Sequence, residues 1–213
     1  MNLPNIITVV RVLATPVVFL LILGGGFGSL LAAFIIFVAA GASDVWDGYL
    51  ARTRGQITDF GKLADPIADK LLLVATFIPF YVLSLREGGA TPLDVVPYWH
   101  VLPLWVLLVV LGRELAITVF RGFAKQRGVV IAAGKAGKYK ALFQSLFIGG
   151  EILWLALRSR ALERGWDSPF WSFWQVLHGM WVMLTLAIAV VLTVYSLAVY
   201  IWRYRNLVHR GLT

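Results

Sequence analysis

Apolar residues in this chain do not alternate with polar ones as in a half-buried strand. They run together in blocks of about 20, the length that crosses a bilayer as a helix. The blocks divide at charged and glycine-rich breaks and predict helices near 5–23, 30–53, 60–84, 97–121, 137–157 and 174–202. The expected fold is therefore all-α: a polytopic membrane protein with six transmembrane helices in a single domain over residues 1–213. The first block lacks a basic leader, carries Arg11 and Pro16 inside, and runs into Gly24-Gly25-Gly26 rather than a small-residue cleavage site. It is expected to be a retained helix, not a cleaved signal.

Composition strengthens this picture. Of 213 residues, 60% are hydrophobic and only 14% charged, against about half and a quarter in soluble chains. That balance excludes a secreted soluble enzyme and a disordered tail. With no cysteine, it also excludes a disulfide scaffold, a thiolate zinc site and a cysteine nucleophile. A net charge of +8 on so apolar a chain points to anionic headgroups or a phosphorylated substrate rather than nucleic acid.

Six spans put both termini on one side. Arg52, Arg54, Lys62, Arg121, Lys125, Arg127, Lys135, Lys138, Lys140, Arg203, Arg205 and Arg210 gather there. The opposite loops hold Arg86, Arg158, Arg160 and Arg164, diluted by Glu87, Asp94, Glu163 and Asp167. The positive-inside bias places the first side in the cytoplasm, and the expected location is the cell (inner) membrane. Trp99, Trp105, Trp154, Trp166, Trp171, Trp174 and Trp202 lie toward span ends, as an interfacial belt does. His100, His178 and His209 show no metal-ligand spacing and are expected at the interface. Glu151 is an isolated acid toward the outer end of the fifth span.

The informative stretch is SDVWDGYLARTRGQITDFGKLADPIADK, residues 43–70. Asp44 and Asp47 stand at i, i+3 near the end of the second span, and Asp65 and Asp69 at i, i+4 near the start of the third. Each pair shares a helix face. The turn is centred near residue 56, so an antiparallel hairpin sets Asp47 level with Asp65 and Asp44 level with Asp69. By the ~1.5 Å helical rise, the four lie roughly 10–15 Å below the turn. Each aspartate within a span costs about 2.5–3.5 kcal/mol, and their charges repel. Hard divalent cations offset both penalties, and four carboxylates suit a two-metal site. The alternative is that they are unrelated helix-end charges.

Gly48 removes a side chain beside these carboxylates, and Ala51 and Gly61 keep the hairpin thin on its inner side. Close ligand approach and plain helix packing both explain such small residues. Arg52 is suited to a bidentate contact with a diphosphate.

The pattern D-x2-D-G-x2-A-R-x8-G-x3-D-x3-D, filled by Asp44, Asp47, Gly48, Ala51, Arg52, Gly61, Asp65 and Asp69, resembles the CDP-alcohol phosphotransferase signature without a departure. The resemblance implies a six-helix membrane enzyme, usually a homodimer, with two Mg2+ or Mn2+ ions near the cytoplasmic face. It also implies transfer of a CDP-linked phospholipid group onto an alcohol. On the matching positions, Asp44, Asp47, Asp65 and Asp69 would ligate metal, with Asp69 also serving as base. Nucleotide contacts would fall on Gly48, Arg52 and Thr58, with Ala51 beside them.

Three further stretches are similar to the phosphatidylglycerophosphate synthases of that family: NLPNIITVVRVLATPVV at the start, GRELAITVFR at 112–121 and AAGKAGKYK at 132–140. Ala141 is a departure, since many relatives carry Thr there. This branch implies CDP-diacylglycerol and glycerol 3-phosphate as substrates. A small dianionic acceptor needs fixed positive charge, and Arg113 lies at about the depth of Asp44 and Asp69, where an unpaired arginine is expensive. Arg121, Lys135, Lys138 and Lys140 ring the same mouth, as acceptor contacts or as anchors for anionic membrane lipids. Arg113 alternatively pairs with Glu114 or an aspartate. Asn5, Thr8 and Arg11 form a stripe at spacing three. They face either the same cavity, where Thr8 joins the CDP-diacylglycerol contacts, or a neighbouring helix. Another acceptor (inositol phosphate, serine or phosphatidylglycerol) is the nearest alternative. A divalent-cation transporter is a remoter one, because polar residues do not continue through the outer half of the spans.

Overall fold

The computed structural model describes residues 3–53, 58–86, 102–128 and 134–209. These form six helices: α1 (Leu3–Gly24), α2 (Phe27–Thr53), α3 (Asp59–Arg86), α4 (Leu104–Gln126), α5 (Lys135–Arg164) and α6 (Pro169–His209). Among the described residues there is no strand. Among the described residues, five helices are long and apolar enough to cross a membrane, which makes this a membrane protein. The exception, α4, carries Arg113, Glu114, Arg121 and Lys125, and the first two are neutralised inside the bundle, as described below.

Several helix ends differ from the sequence expectation. The fourth helix begins at Leu104, after an extended Pro103, rather than at 97; residues 97–101 lie outside the described residues. Proline has no N–H and holds its predecessor away from helical geometry, so the start is sharp. The fifth helix continues to Arg164 and the sixth starts at Pro169, which replaces an expected long loop with a short link. Arg158, Arg160, Glu163 and Arg164 are thus helical, and Arg160 pairs with Glu163 at i, i+3 (3.1 Å). Gly165, at φ 60°, ends α5 by a left-handed turn in which Trp166 N–H donates to the Ala161 carbonyl (2.9 Å). At the other tight corner, Gly25 (φ 68°) donates to the Ile22 carbonyl (3.1 Å), turning α1 into α2 within two residues.

The helices pack as a closed ring. α1 lies against α2 and α3, α2 against α5, α5 against α6, α6 against α4, and α4 against α3. One half of the interior is filled: Phe77, Phe80 and Phe147 stack at 5.5–6.4 Å between centroids, surrounded by Val18, Ile22, Leu30, Val106, Val110, Ile152 and Leu186. Outward faces carry exposed Leu, Val, Ile and Trp, which suits a lipid surround. Not every tryptophan sits in a belt. Trp154 and Trp171 are buried, while Trp105, Trp166 and Trp202 are exposed; Trp99 lies outside the described residues.

His178 is likewise buried rather than interfacial. Its Nε2 bonds the Gly150 carbonyl (2.9 Å) and its ring packs between Trp154 and Trp174. His100 and the His209 side chain lie outside the described residues. Glu151 is fully buried beside this cluster.

Candidate functional site

At the opposite end from the phenylalanines the ring stays open. A cavity of about 840 Å³ is lined by residues of all six helices. Its walls differ in charge. On one side stand Arg11, Asp44, Asp69 and Lys70; on the other, Arg113, Glu114, Arg121, Lys138, Lys140 and Arg203.

The acidic wall is organised from α1. One face of that helix carries Asn5, Thr8 and Arg11, all buried, and each reaches a different part of the hairpin formed by α2 and α3. Asn5 Oδ1 accepts from the Thr58 hydroxyl (2.7 Å). Thr58 Oγ1 in turn accepts from the Gly61 N–H (3.1 Å), capping the first turn of α3. The Thr8 hydroxyl donates to Asp65 Oδ1 (2.8 Å). Arg11 spans the hairpin: Nη1 donates to Asp44 Oδ1 and Nη2 to Asp69 Oδ1. Asp44 and Asp69, 25 positions apart in sequence, therefore meet on a single guanidinium. Thr8 and Arg11 thus bind helix to helix, and Arg11 also faces the cavity.

Gly61 sits inside this knot. A Cβ there would lie 3.3 Å from Thr58 Oγ1, 3.5 Å from Asn5 Oδ1 and 4.0 Å from Asp65 Oδ2. The glycine is where the sequence expects a thin hairpin, and its neighbours are polar groups of the site.

Asp47, Gly48, Ala51 and Arg52 lie on the last turns of α2, but their side chains fall outside the described residues, as does that of Lys135 on α5. Among the described residues no three acidic or histidine side chains gather into a metal shell. Asp65 is engaged by Thr8, and Arg11 stands between the other two. The donor set nevertheless fits hard divalent ions: it is carboxylate oxygen throughout, and two carboxylates from different helices converge on one positive group facing a cavity.

The basic wall holds its own ion cluster. Glu114 Oε1 accepts from Arg113 Nη1 (2.9 Å) and from Lys140 Nζ, linking α4 to α5. Arg113 Nη2 donates to Ser196 Oγ on α6 (3.1 Å), while its buried Nε has no hydrogen-bond partner among the described residues. Lys140 is buried, whereas Arg121 and Lys138 are exposed at the mouth. The pairing of Arg113 with Glu114 and its place in the cavity wall are both realised. The α6 contribution (Ser196, Tyr200, Arg203 and Tyr204) and Lys70 on α3 were absent from the sequence expectation. In the sequence Arg203 is only one charge of a cytoplasmic end, and Arg11 only part of a polar stripe.

Comparison with known proteins agrees with this architecture. A family model described as CDP-alcohol phosphatidyltransferase matches residues 1–202. A probable phosphatidylglycerophosphate synthase of Mycobacterium tuberculosis is 39% identical over 155 residues, covering 71% of this chain and 66% of that protein. The CDP-diacylglycerol–glycerol-3-phosphate 3-phosphatidyltransferase of Pseudomonas fluorescens is 33% identical over 191 residues, 85% of this chain and 91% of its own length. A cardiolipin synthase (CMP-forming) of Streptomyces coelicolor is 32% identical over 181 residues, 81% of this chain and 76% of its own length. A match along nearly the whole chain, on a ring of six helices with paired aspartates at its open end, shows that the protein belongs to the CDP-alcohol phosphatidyltransferase family.

Proposed function

We propose that this protein transfers the phosphatidyl group of CDP-diacylglycerol to glycerol 3-phosphate, giving phosphatidylglycerophosphate and CMP. One observation carries the reading: a single cavity presents aspartates on one wall and a cluster of fixed cations on the other. The two walls suit two different substrates. The names of the mycobacterial and pseudomonad relatives support the same reaction.

Asp44, Asp47, Asp65 and Asp69 would hold two divalent ions, Mg2+ or Mn2+. Bound there, such ions would supply positive charge to the diphosphate and to the departing CMP. Arg52, Gly48 and Ala51 would line the approach of the nucleotide, supported by Thr58 and Thr8. The hydroxyls of Thr58 and Thr8 act through Asn5 and Asp65, so they shape the site from behind. Arg113, Arg121, Lys135, Lys138 and Lys140 receive the acceptor phosphate. Asp69, whose side chain is 59% exposed, takes the proton from the primary hydroxyl of the acceptor. That oxygen forms a bond to the lipid-bearing phosphorus, the bond to CMP breaks in line, and the electron pair leaves on CMP. No covalent intermediate with the protein is required.

The excess of Lys and Arg at the open end supports a cytoplasmic cavity and termini in the cell (inner) membrane, and a homodimer is the expected assembly. Because the Streptomyces relative carries a cardiolipin synthase name, phosphatidylglycerol is the rival acceptor. The cationic wall favours the doubly charged phosphate monoester over a phosphodiester. The test follows CMP release from CDP-diacylglycerol by purified protein, offering each acceptor with Mg2+ or Mn2+ and with chelator. Release with glycerol 3-phosphate that stops in chelator is expected. Release with phosphatidylglycerol alone, or undiminished in chelator, overturns the reading.

A further inference from the structure

Arg11 has no assigned role in this reaction, yet it is the residue that joins the two halves of the carboxylate cluster. Its side chain is 5% exposed, while those of Asp44 and Asp69 are 43% and 59% exposed. The guanidinium therefore lies beneath the two carboxylates, and they face the cavity above it. Each carboxylate uses Oδ1 to bind a different nitrogen of the same planar fork. A guanidinium is suited to this because its donors diverge in fixed geometry, whereas an ammonium offers a single point of charge.

We propose that Arg11 is a built-in counter-ion that competes with the divalent cations for Asp44 and Asp69. This rests on the two-cation reading given above. Without cations, two neighbouring carboxylates at the end of a membrane bundle repel, and one buried positive charge pins α2 and α3 to α1. A carboxylate oxygen that binds Arg11 keeps a second lone pair for a cation, but the two then draw on the same negative charge and each weakens the other. A divalent charge held by the same carboxylates would also repel the guanidinium. Cation binding would thus loosen Arg11 from the aspartates, and cation affinity is lower than the bare carboxylates would give. The cluster stays assembled when empty at the cost of weaker metal binding.

The experiment uses full-length protein in detergent, titrated with Mn2+ by electron paramagnetic resonance, and thermal unfolding in chelator and in Mn2+. Arg11→Gln should unfold at lower temperature than wild type in chelator. It should also bind Mn2+ more tightly, on the order of tenfold, for the loss of a competing interaction of ordinary strength. Mn2+ should then raise its unfolding temperature by more than it raises that of wild type. Arg11→Lys keeps the charge but loses the fork and should fall between the two; it decides the matter on the same titration if Arg11→Gln does not fold. A merely structural arginine would lower stability without tightening Mn2+. Unchanged or weaker Mn2+ binding in the variants overturns the exchange while leaving the cation site standing. A wild-type protein that binds no Mn2+ removes the cation site and the exchange together.

Discussion

Replacing Glu114 by glutamine tests whether the basic wall is held together by charge. Glu114, Arg113 and Lys140 have side chains only 18%, 10% and 6% exposed, and one carboxylate oxygen serves both cations. At 2.9 Å and an effective dielectric of about 20, the gross attraction between Glu114 and Arg113 is about 6 kcal/mol. Most of it offsets the cost of taking both groups out of water, so the net loss is smaller. Breaking a buried pair from one side costs about 3–5 kcal/mol, because the partner remains as an uncompensated charge. Glutamine still offers a carbonyl oxygen to one donor, so the low end, about 3 kcal/mol, is expected. For a chain of this size that corresponds to roughly 6–12 °C in Tm. The assay is thermal unfolding in detergent and phosphate-free buffer, followed by intrinsic tryptophan fluorescence. Glycerol 3-phosphate should recover more of the lost stability in Glu114→Gln than it adds to wild type, because its phosphate replaces the missing negative charge. A Tm within about 2 °C of wild type, against the shift expected from buried-pair loss, would refute the reasoning. So would equal stabilisation of both proteins by the ligand.

Asp69→Asn should abolish CMP release while the protein remains folded, since Arg11 keeps its bond to Asp44; substantial turnover in a CMP assay removes the base role. Gly61→Ala should destabilise by about 1 kcal/mol despite the helix propensity of alanine, because the new Cβ crowds a Thr58 hydroxyl fixed between two partners. A higher melting temperature would show that the knot can yield. Phe147→Ala empties the centre of the phenylalanine cluster and should cost about 3–5 kcal/mol in denaturant or thermal unfolding. A loss below 1 kcal/mol, far under that large-to-small range, would mean the cluster repacks.

Much of this molecule is local in origin and therefore legible along the chain. Block length and apolar content predict six helices because a membrane span must satisfy its own backbone hydrogen bonds. The matching depth of Asp44 and Asp69 follows from helical rise on either side of a short turn, and the structure brings both to Arg11. The aspartate, glycine and arginine pattern identifies the family for the same reason: its spacing is contained within one hairpin. Helix ends at Pro103 and Gly165 were less legible, because charged segments such as 158–164 can continue a helix when ion pairs form along it.

Pairings between distant helices are another matter. In a lipid-embedded ring, the face toward lipid and the face toward protein are both apolar, so periodicity does not reveal which helix meets which. Ring closure in the order α1, α2, α5, α6, α4, α3 sets Arg113 and Lys140 across the cavity from the aspartates and brings Ser196, Tyr200 and Arg203 into its wall. It also buries His178 and Trp154, which sequence position alone assigns to an interface. Arg11 shows the division most clearly: its spacing from Thr8 placed it on a polar stripe, but only the packing of α1 against both arms of the hairpin made it the link between two carboxylates. Charge on a helix is written locally; the partner that neutralises it is chosen by the fold.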